Sequence, residues 1–353
     1  MTVRVGIIGA GFARRVQLPG LALVPGARAL AIASGRRANA EAVAREFGLP
    51  HVFDDGVELA RSPEVDLVIV SSTPDSHARY AIAALDAGKH VLCEKPIALD
   101  AYEASQMVAA AARHPDRVAW VDHELRYEPN RRRARELIRG GAIGDVRHIE
   151  LSLKPYLRGD GRPQATDAPW TWWSDASQGG GILGAVGSHL IDLVRFWCGE
   201  IVHVAGQAAT FVPERRDAQG ASRPVTADDF ATAILRTARG ALATITLSTV
   251  AHHGPGHLAH VTGSAGTLAL TGETRLELGL AGGPLEDVSA ADDLWEKTQP
   301  NNMWARSFVR LARDMVRAVG GQAPEGEAAT FRDGWQVQRV LDAVRGGRGV
   351  SLD

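Results

Sequence analysis

The chain has 353 residues, 45% apolar and 23% charged, with a net charge of −2, an ordinary globular composition with length for two domains. That charge balance gives no reason to expect nucleic acid or an anionic membrane as a partner, and no run of about 18 apolar residues marks a membrane-spanning helix. The two cysteines, Cys93 and Cys198, show neither metal-ligand spacing nor a disulfide framework, and the chain enters a strand pattern without a cleavable leader, so a reducing, cytoplasmic location is expected.

Val3 to Ile8 reads as a short strand, followed by Gly9-Ala10-Gly11-Phe12-Ala13-Arg14. Strand, glycine turn and helix form the context in which this pattern binds a dinucleotide. Gly9 allows the tight turn, and Gly11 lets the backbone approach a pyrophosphate. The helix start at Phe12 and Ala13 offers N–H groups to the phosphates. Arg14 replaces the third glycine of the pattern and points either toward phosphate or into solvent. A second strand, Ala29 to Ala33, ends in Ser34-Gly35-Arg36-Arg37. An acidic residue about 20 positions past the glycines would bind a ribose 2′-hydroxyl. Ser34, Arg36 and Arg37 stand there instead and suit a 2′-phosphate, so NADP is preferred, with NAD possible. The other reading makes both arginines the solvated start of a helix through Phe47.

Val65 to Val70 is a buried-type strand. Ser72, Thr73 and Pro74 then look like a loop over the cofactor, with Asp75 or Ser76 as the cap of a helix through Ala87. His77, beside that loop, is expected to be structural rather than catalytic. The strand His90 to Cys93 ends in Glu94-Lys95-Pro96. Pro96 has no N–H and ends strand pairing. Lys95 then projects from the carboxyl end of a strand, where open α/β sheets hold ligands, unless the stretch is a plain charged turn. A helix from Asp100 and a strand from Val118 to Asp122 follow. Strands alternating with helices predict a doubly wound parallel sheet over residues 1–123.

The glycine turn, the loop Ser72-Thr73-Pro74-Asp75-Ser76-His77 and above all Gly88-Lys89-His90-Val91-Leu92-Cys93-Glu94-Lys95-Pro96 resemble the Gfo/Idh/MocA oxidoreductase family in order and spacing. The resemblance covers most of the chain. It implies a Rossmann domain over 1–123 that binds NAD(P), with Glu94, Lys95 and Pro96 at the cofactor. It implies a C-terminal α/β domain over 124–353, with a large open mixed sheet, that binds substrate and makes a homodimer or homotetramer. It also implies nicotinamide-dependent redox chemistry on a sugar, cyclitol or related small molecule, with Lys95 near the nicotinamide and the reacting hydroxyl.

Residues 123–129 are similar to the family's domain crossing, which makes Arg126 a candidate for the substrate cleft. Arg131, Arg132, Arg133 and Arg135 read as the solvated face of a helix through Arg139. The strand from His148 to Leu153 leads to two further cleft candidates, Lys154 and Tyr156. Trp170, Trp172 and Trp173 fall in an irregular stretch and either pack on the core or line the cleft; Trp173 is taken as a substrate contact. Gly179-Gly180-Gly181 precedes an apolar helix in which His189 and Asp192 share one face. A carboxylate there could orient the imidazole, the usual proton shuttle near neutral pH. With the resemblance, His189 becomes the second catalytic candidate and Asp192 a substrate-side one. Where many of these dehydrogenases carry an aspartate, one turn before this histidine, the chain has Ala185.

Val202–Phe211, Asp229–Thr237, Ala241–Val250 and His260–Leu270 read as an antiparallel meander with one covered face. His252, His253, His257 and His260 read as a loop rather than a metal site, and no metal is expected. Two helices, Trp304–Val319 and Phe331–Val344, complete the chain. The expected function is an NAD(P)-dependent oxidoreductase moving a hydride between nicotinamide and a CH–OH or carbonyl carbon, with Lys95 or His189 taking the hydroxyl proton. The alternatives are a redox-assisted glycosidase or lyase, and a non-catalytic NADP-binding protein, which Ala185 keeps open.

Overall fold

A computed structural model describes residues 2–154, 168–254, 256–347 and 349–352. The chain forms two compact units, one of Met1–Glu128 and Asp292–Gln336, the other of Pro129–Ala291 and Val337–Asp353. The expected division at residue 123 into two consecutive domains therefore needs correction, because the chain returns to the first unit. The cause is the amphipathic helix Met303–Val319. Its Phe308, Val309, Leu311 and Met315 enter the same core as Val16, Leu18 and Leu21. The packing there is close: a Cβ on Gly20 would lie 2.8 Å from Phe308 Cδ1.

The first unit is built on the strands β1 (Val3–Ile8), β2 (Ala27–Ala33), β3 (His51–Phe53), β4 (Leu67–Val70), β5 (His90–Cys93) and β6 (Ala119–Val121). They lie parallel in the order β6-β5-β4-β1-β2-β3, and a two-residue strand, Ala329–Thr330, adds antiparallel to β6. This is the doubly wound order read from the sequence. β4 and β5 are buried at every position, as expected of parallel strands covered on both faces. The order reverses between β1 and β4, so the crevice beyond their carboxyl ends is where such sheets take ligands.

The second unit holds a nine-stranded mixed sheet. Its long central strand, Val146–Lys154, pairs parallel with Leu242–Ser248 on one side and antiparallel with Gly256–Gly263 on the other. It interrupts the expected meander, and the stretch expected as one strand over 260–270 divides into Gly256–Gly263 and Gly266–Thr271. One face is covered: in Phe230–Thr237, Ala231, Ala233 and Leu235 are buried while Thr232, Ile234 and Arg236 are exposed. The stretch Ala176–Cys198 has the length and the mean hydropathy, 1.2, of a membrane span, contrary to the composition-based reading. It is buried inside the protein, however, and every residue of its helix Ser188–Cys198 lies in the interior. It is a core helix.

Arg131 was expected on a solvated helix face and is instead fully buried. Its Nη2 donates to His257 Nδ1 at 2.9 Å, and its carbonyl accepts from Trp197 Nε1 at 3.0 Å. Arg135, from the next turn, lies 3.8 Å over the Phe196 ring. The periodicity showed where the arginines fall on the helix but not that the sheet supplies an acceptor.

Candidate active site

The first glycine turn sits at the crossing of β1 and β4. Gly9 has φ +114°, and a Cβ on it would lie 2.1 Å from the Ser71 carbonyl oxygen. Only glycine permits both that conformation and that approach. Gly11 differs, since a Cβ there would meet nothing within 4 Å. This open space beside a helix start fits the pyrophosphate of a dinucleotide. The helix begins with a π-helical turn, Ala13–Gln17, before Leu18–Leu21; such widened turns recur at functional sites. Arg14 pairs with Glu46 at 2.6 Å, so it belongs to the surface and not to the phosphates.

At the end of β2, Arg37 is engaged by Glu41 at 2.8 Å and by Asp54. Arg36, exposed at the cap of the helix Arg37–Phe47, has no partner among the described residues. Of the two arginines expected at a 2′-phosphate, Arg36 alone is uncommitted. Ser34 is half-buried beside Gly35, where a Cβ would again meet open space.

The Ser72–Pro74 loop is held by its own side chains. Ser76 Oγ donates to the Thr73 carbonyl at 2.9 Å and shares a hydroxyl–hydroxyl hydrogen bond with Ser72 Oγ at 2.7 Å. His77 ties this loop to the Lys95 segment, with Nδ1 3.0 Å from the Pro96 carbonyl and Nε2 3.1 Å from the Ser72 carbonyl. Burial pushes its pKa down, so the ring is neutral and donates to one carbonyl at a time.

Lys95 is half-buried where β5 ends, and its bond to Pro96 is cis. Its N–H donates to Glu94 Oε2 at 3.2 Å. Gln17, at the end of the π-helical turn, donates from Nε2 to Glu94 Oε1 at 2.9 Å and to Asp122 Oδ2 at 3.4 Å. The Asp122 N–H donates to the Cys93 carbonyl at 2.7 Å, which fixes this carboxyl beside the end of β5. Burial pushes the pKa of Glu94 up, that of Asp122 well up, and that of Glu124 up to about 8; the Lys95 charge opposes the rise in all three. The first unit thus gathers one ammonium and three desolvated carboxyls around the end of β5, a setting for proton exchange.

Gln17, Asp122 and Glu124 escaped the sequence reading. The two acids had a signal: they flank His123 directly after β6, at the carboxyl end of the strand next to β5. Gln17 had none, because its position depends on the π-helical turn.

In the second unit the triple glycine is a packing device. A Cβ on Gly180 would lie 2.6 Å from the Trp172 and Trp173 carbonyls, and one on Gly181 would lie 2.4 Å from Asp228 Oδ2. Asp228 accepts from the Leu183 N–H at 2.7 Å, capping a second π-helical turn, Leu183–Gly187, that carries Ala185. The helix Ser188–Cys198 follows, with His189 and Asp192 both buried. Asp192 lies 4.0 Å from Arg195, which also pairs with Glu200 at 2.6 Å.

Of the three tryptophans, Trp170 packs on its neighbours: Nε1 donates to the Pro224 carbonyl at 2.9 Å and Arg223 lies 4.7 Å over the ring. Trp172 and Trp173 meet edge to face at 5.8 Å, and Trp173 is half-buried. Lys154 is half-buried at its strand end, and Tyr156 lies outside the described residues. Arg126, the expected cleft residue, is buried, paired with Asp333 at 3.3 Å and hydrogen-bonded to the Glu327 carbonyl. His257 is a buried strand residue facing a guanidinium, an arrangement that suits neither an exposed loop nor a cation site.

Residues 3–123 match the model of an oxidoreductase family with an NAD-binding Rossmann fold, and residues 131–269 match the GFO/IDH/MocA C-terminal domain. An uncharacterised oxidoreductase of Synechocystis is 32% identical over 75% of this chain and 71% of its own. Glucose-fructose oxidoreductase domain-containing protein 2 of Xenopus laevis is 30% identical over 97% and 90%. Levoglucosan dehydrogenase of Pseudarthrobacter phenanthrenivorans is 27% identical over 97% and 95%. Among solved structures, an oxidoreductase domain protein from Kribbella flavida superposes with a TM-score of 0.87 at 30% identity, covering 100% of both chains. A levoglucosan dehydrogenase in complex with NADH and L-sorbose shares the fold, with a TM-score of 0.88 over 100% of this chain and 99% of its own, at 24% identity. With a Rossmann sheet, a glycine turn open to a pyrophosphate and Lys95 at the carboxyl end of β5, the chain belongs to the GFO/IDH/MocA family of NAD-binding oxidoreductases.

Proposed function

We propose that this oxidoreductase is an NAD(P)-dependent dehydrogenase or reductase acting on a CH–OH or carbonyl carbon of a sugar, cyclitol or related small molecule. The observation that carries the reading is Lys95, held at the end of β5 among desolvated carboxyls in the unit whose Gly11 leaves room for a dinucleotide. A bound nicotinamide supplies the hydride chemistry. Gly9, Gly11, Phe12 and Ala13 hold the pyrophosphate, and the Ser72–Pro74 loop, fastened by His77, lies along the cofactor. Arg36 with Ser34 favours NADP through the 2′-phosphate. Lys95 exchanges the proton of the substrate hydroxyl, and its charge stabilises a developing alkoxide.

His189 serves as the second proton-handling group, with Asp192 and Trp173 on the substrate side. Ala185 leaves no carboxylate at its position, so proton handling falls to Lys95 and His189. The protein acts in the cytoplasm as a homodimer or homotetramer through the open face of its nine-stranded sheet, where Ile234 and Leu242 are exposed. Their relative as named, a levoglucosan dehydrogenase, supports the substrate class.

The test is Lys95→Met, assayed at the nicotinamide absorbance over a panel of sugars, anhydrosugars and cyclitols. Turnover should fall by at least about 10³-fold, with the NADH dissociation constant little changed. Near wild-type turnover would overturn the assignment.

A further inference from the structure

We propose that the first unit carries a ligand site apart from the dinucleotide crevice, a groove at the amino end of β6 that takes a small carboxylate with an apolar body. The inference goes beyond the dehydrogenase reading and does not depend on the role given to Lys95.

The groove has a volume of about 450 Å³, within the range that accepts a small molecule. One wall is the helix Ala101–Arg113, where Val108, Ala111 and Ala112 share a face. The other wall is the start of the helix Phe331–Arg345, with Phe331 buried at its base. Just ahead of β6, the Val118 N–H donates to His90 Nδ1 at 3.0 Å, which fixes the floor to β5. All of these residues belong to the first unit. β6 runs parallel to β5, β4 and β1. Its amino end therefore lies at the opposite edge of the sheet layer from the carboxyl ends, where the dinucleotide crevice is.

The strand pairing there stops short. The Val91 N–H donates to the Val118 carbonyl and the Asp122 N–H to the Cys93 carbonyl. Trp120, between them, therefore turns its backbone groups toward β5, and Ala119 turns its own outward. On that outer side the strand Ala329–Thr330 makes two pairs, Ala329 with Val121 and Thr330 with Trp120, before the chain enters a helix at Phe331. The Ala119 N–H thus lies beyond the last pair, at the groove that Ala119 lines, and needs an acceptor. The charge at the rim points the same way. Arg117 pairs with Asp116 at 3.0 Å, and Asp333 is committed to Thr330 and Arg126. Arg332 is exposed, with no partner among the described residues. No acidic residue among those described lines the groove. Apolar walls, an uncommitted guanidinium and an open N–H suit a carboxylate on an apolar body. A neutral apolar molecule would leave both donors unmet, and a cation would face Arg332.

The test titrates 3-phenylpropanoate into the full chain by calorimetry, with NADH at saturation so that the crevice is filled. One site with a dissociation constant on the order of 1 mM is expected. The alcohol 3-phenylpropanol lacks the charge and propanoate lacks the ring, so each should bind at least about tenfold more weakly. Arg332→Ala should weaken 3-phenylpropanoate by about tenfold, the loss of one charge-assisted contact. Ala112→Leu fills the groove from its helical wall and should weaken it by at least about tenfold as well. Both positions are exposed, so neither change touches the core. Absence of binding up to about 10 mM would overturn the proposal, as would equal affinity for the alcohol. Unchanged affinity in either variant would also overturn it, since the ligand would then sit elsewhere. Failure of the Lys95→Met turnover test touches the lysine's role and leaves these outcomes standing.

Discussion

The two glycine turns look alike in the sequence and do opposite things. Each precedes a π-helical turn that runs on into an α-helix. In the first unit Gly9 is pressed against the end of β4, but Gly11 faces open space. In the second unit Gly180 and Gly181 are both filled by protein, with tryptophan carbonyls against one and the Asp228 carboxylate against the other. One turn keeps room for a ligand and the other brings a buried helix close to its neighbours. The buried charge differs as well. The first unit hides carboxyls whose pKa values burial pushes up, whereas the second hides a guanidinium beside an imidazole whose pKa burial pushes down. A glycine run therefore signals close approach, and only the atoms facing it say to what.

The largest expected effect breaks the filled turn. Gly181→Ala places a side chain at φ +106° and against Asp228, and should cost about 3 kcal/mol or more in denaturant unfolding. A loss under about 1 kcal/mol would mean the turn relaxes freely.

The next contrast is between the buried charges, read as stability against pH. Glu124 has its folded-state pKa raised from 4.5 to about 8. Above pH 4.5 the unfolded chain gives up this proton while the folded one keeps it, so stability falls as pH rises through that window. The slope reaches at most about 1.4 kcal/mol per unit. Glu124→Gln should remove that slope, and its stability relative to wild type should improve steadily from pH 4.5 to 8. His257 runs the other way. Burial first and then Arg131 hold its pKa well below 6.5, so below that pH the unfolded chain takes a proton first and stability falls with acidification. Parallel curves for Glu124→Gln and wild type would remove the distinction between the units.

The smallest effect on folding sharpens the open turn. Gly11→Ala should unfold within about 0.5 kcal/mol of wild type, because its Cβ meets nothing. It should nonetheless weaken NADH and NADPH alike by at least about tenfold. Arg36→Ala should weaken NADPH alone, by about tenfold for one charge-assisted contact. Equal losses for both cofactors in Arg36→Ala would make that arginine a surface residue, as Arg14 and Arg37 already are.

Much of this was legible in the chain itself. The doubly wound sheet followed from apolar runs alternating with helical periodicity, since a parallel strand covered on both faces must be apolar throughout. The glycine turn and the Glu94-Lys95-Pro96 segment stood out because left-handed backbone and strand endings restrict residue choice locally. His77, read as structural, has its ring held by two carbonyls. The return of 292–336 to the first unit was not legible, because an amphipathic helix states that it packs but not against what.

The sequence by itself determined the Rossmann sheet, the dinucleotide turn and the position of Lys95 at a strand end. Tertiary structure alone decided what surrounds that lysine. Gln17 and Asp122 lie far apart in the chain, and their meeting with Glu94 depends on the π-helical turn and on the β5–β6 pairing. Tertiary structure also buried Arg131 against His257 and gave Arg126 to Asp333. Local sequence sets backbone preference, but whether a charged side chain is solvated, paired or buried depends on partners that only the folded chain brings within reach.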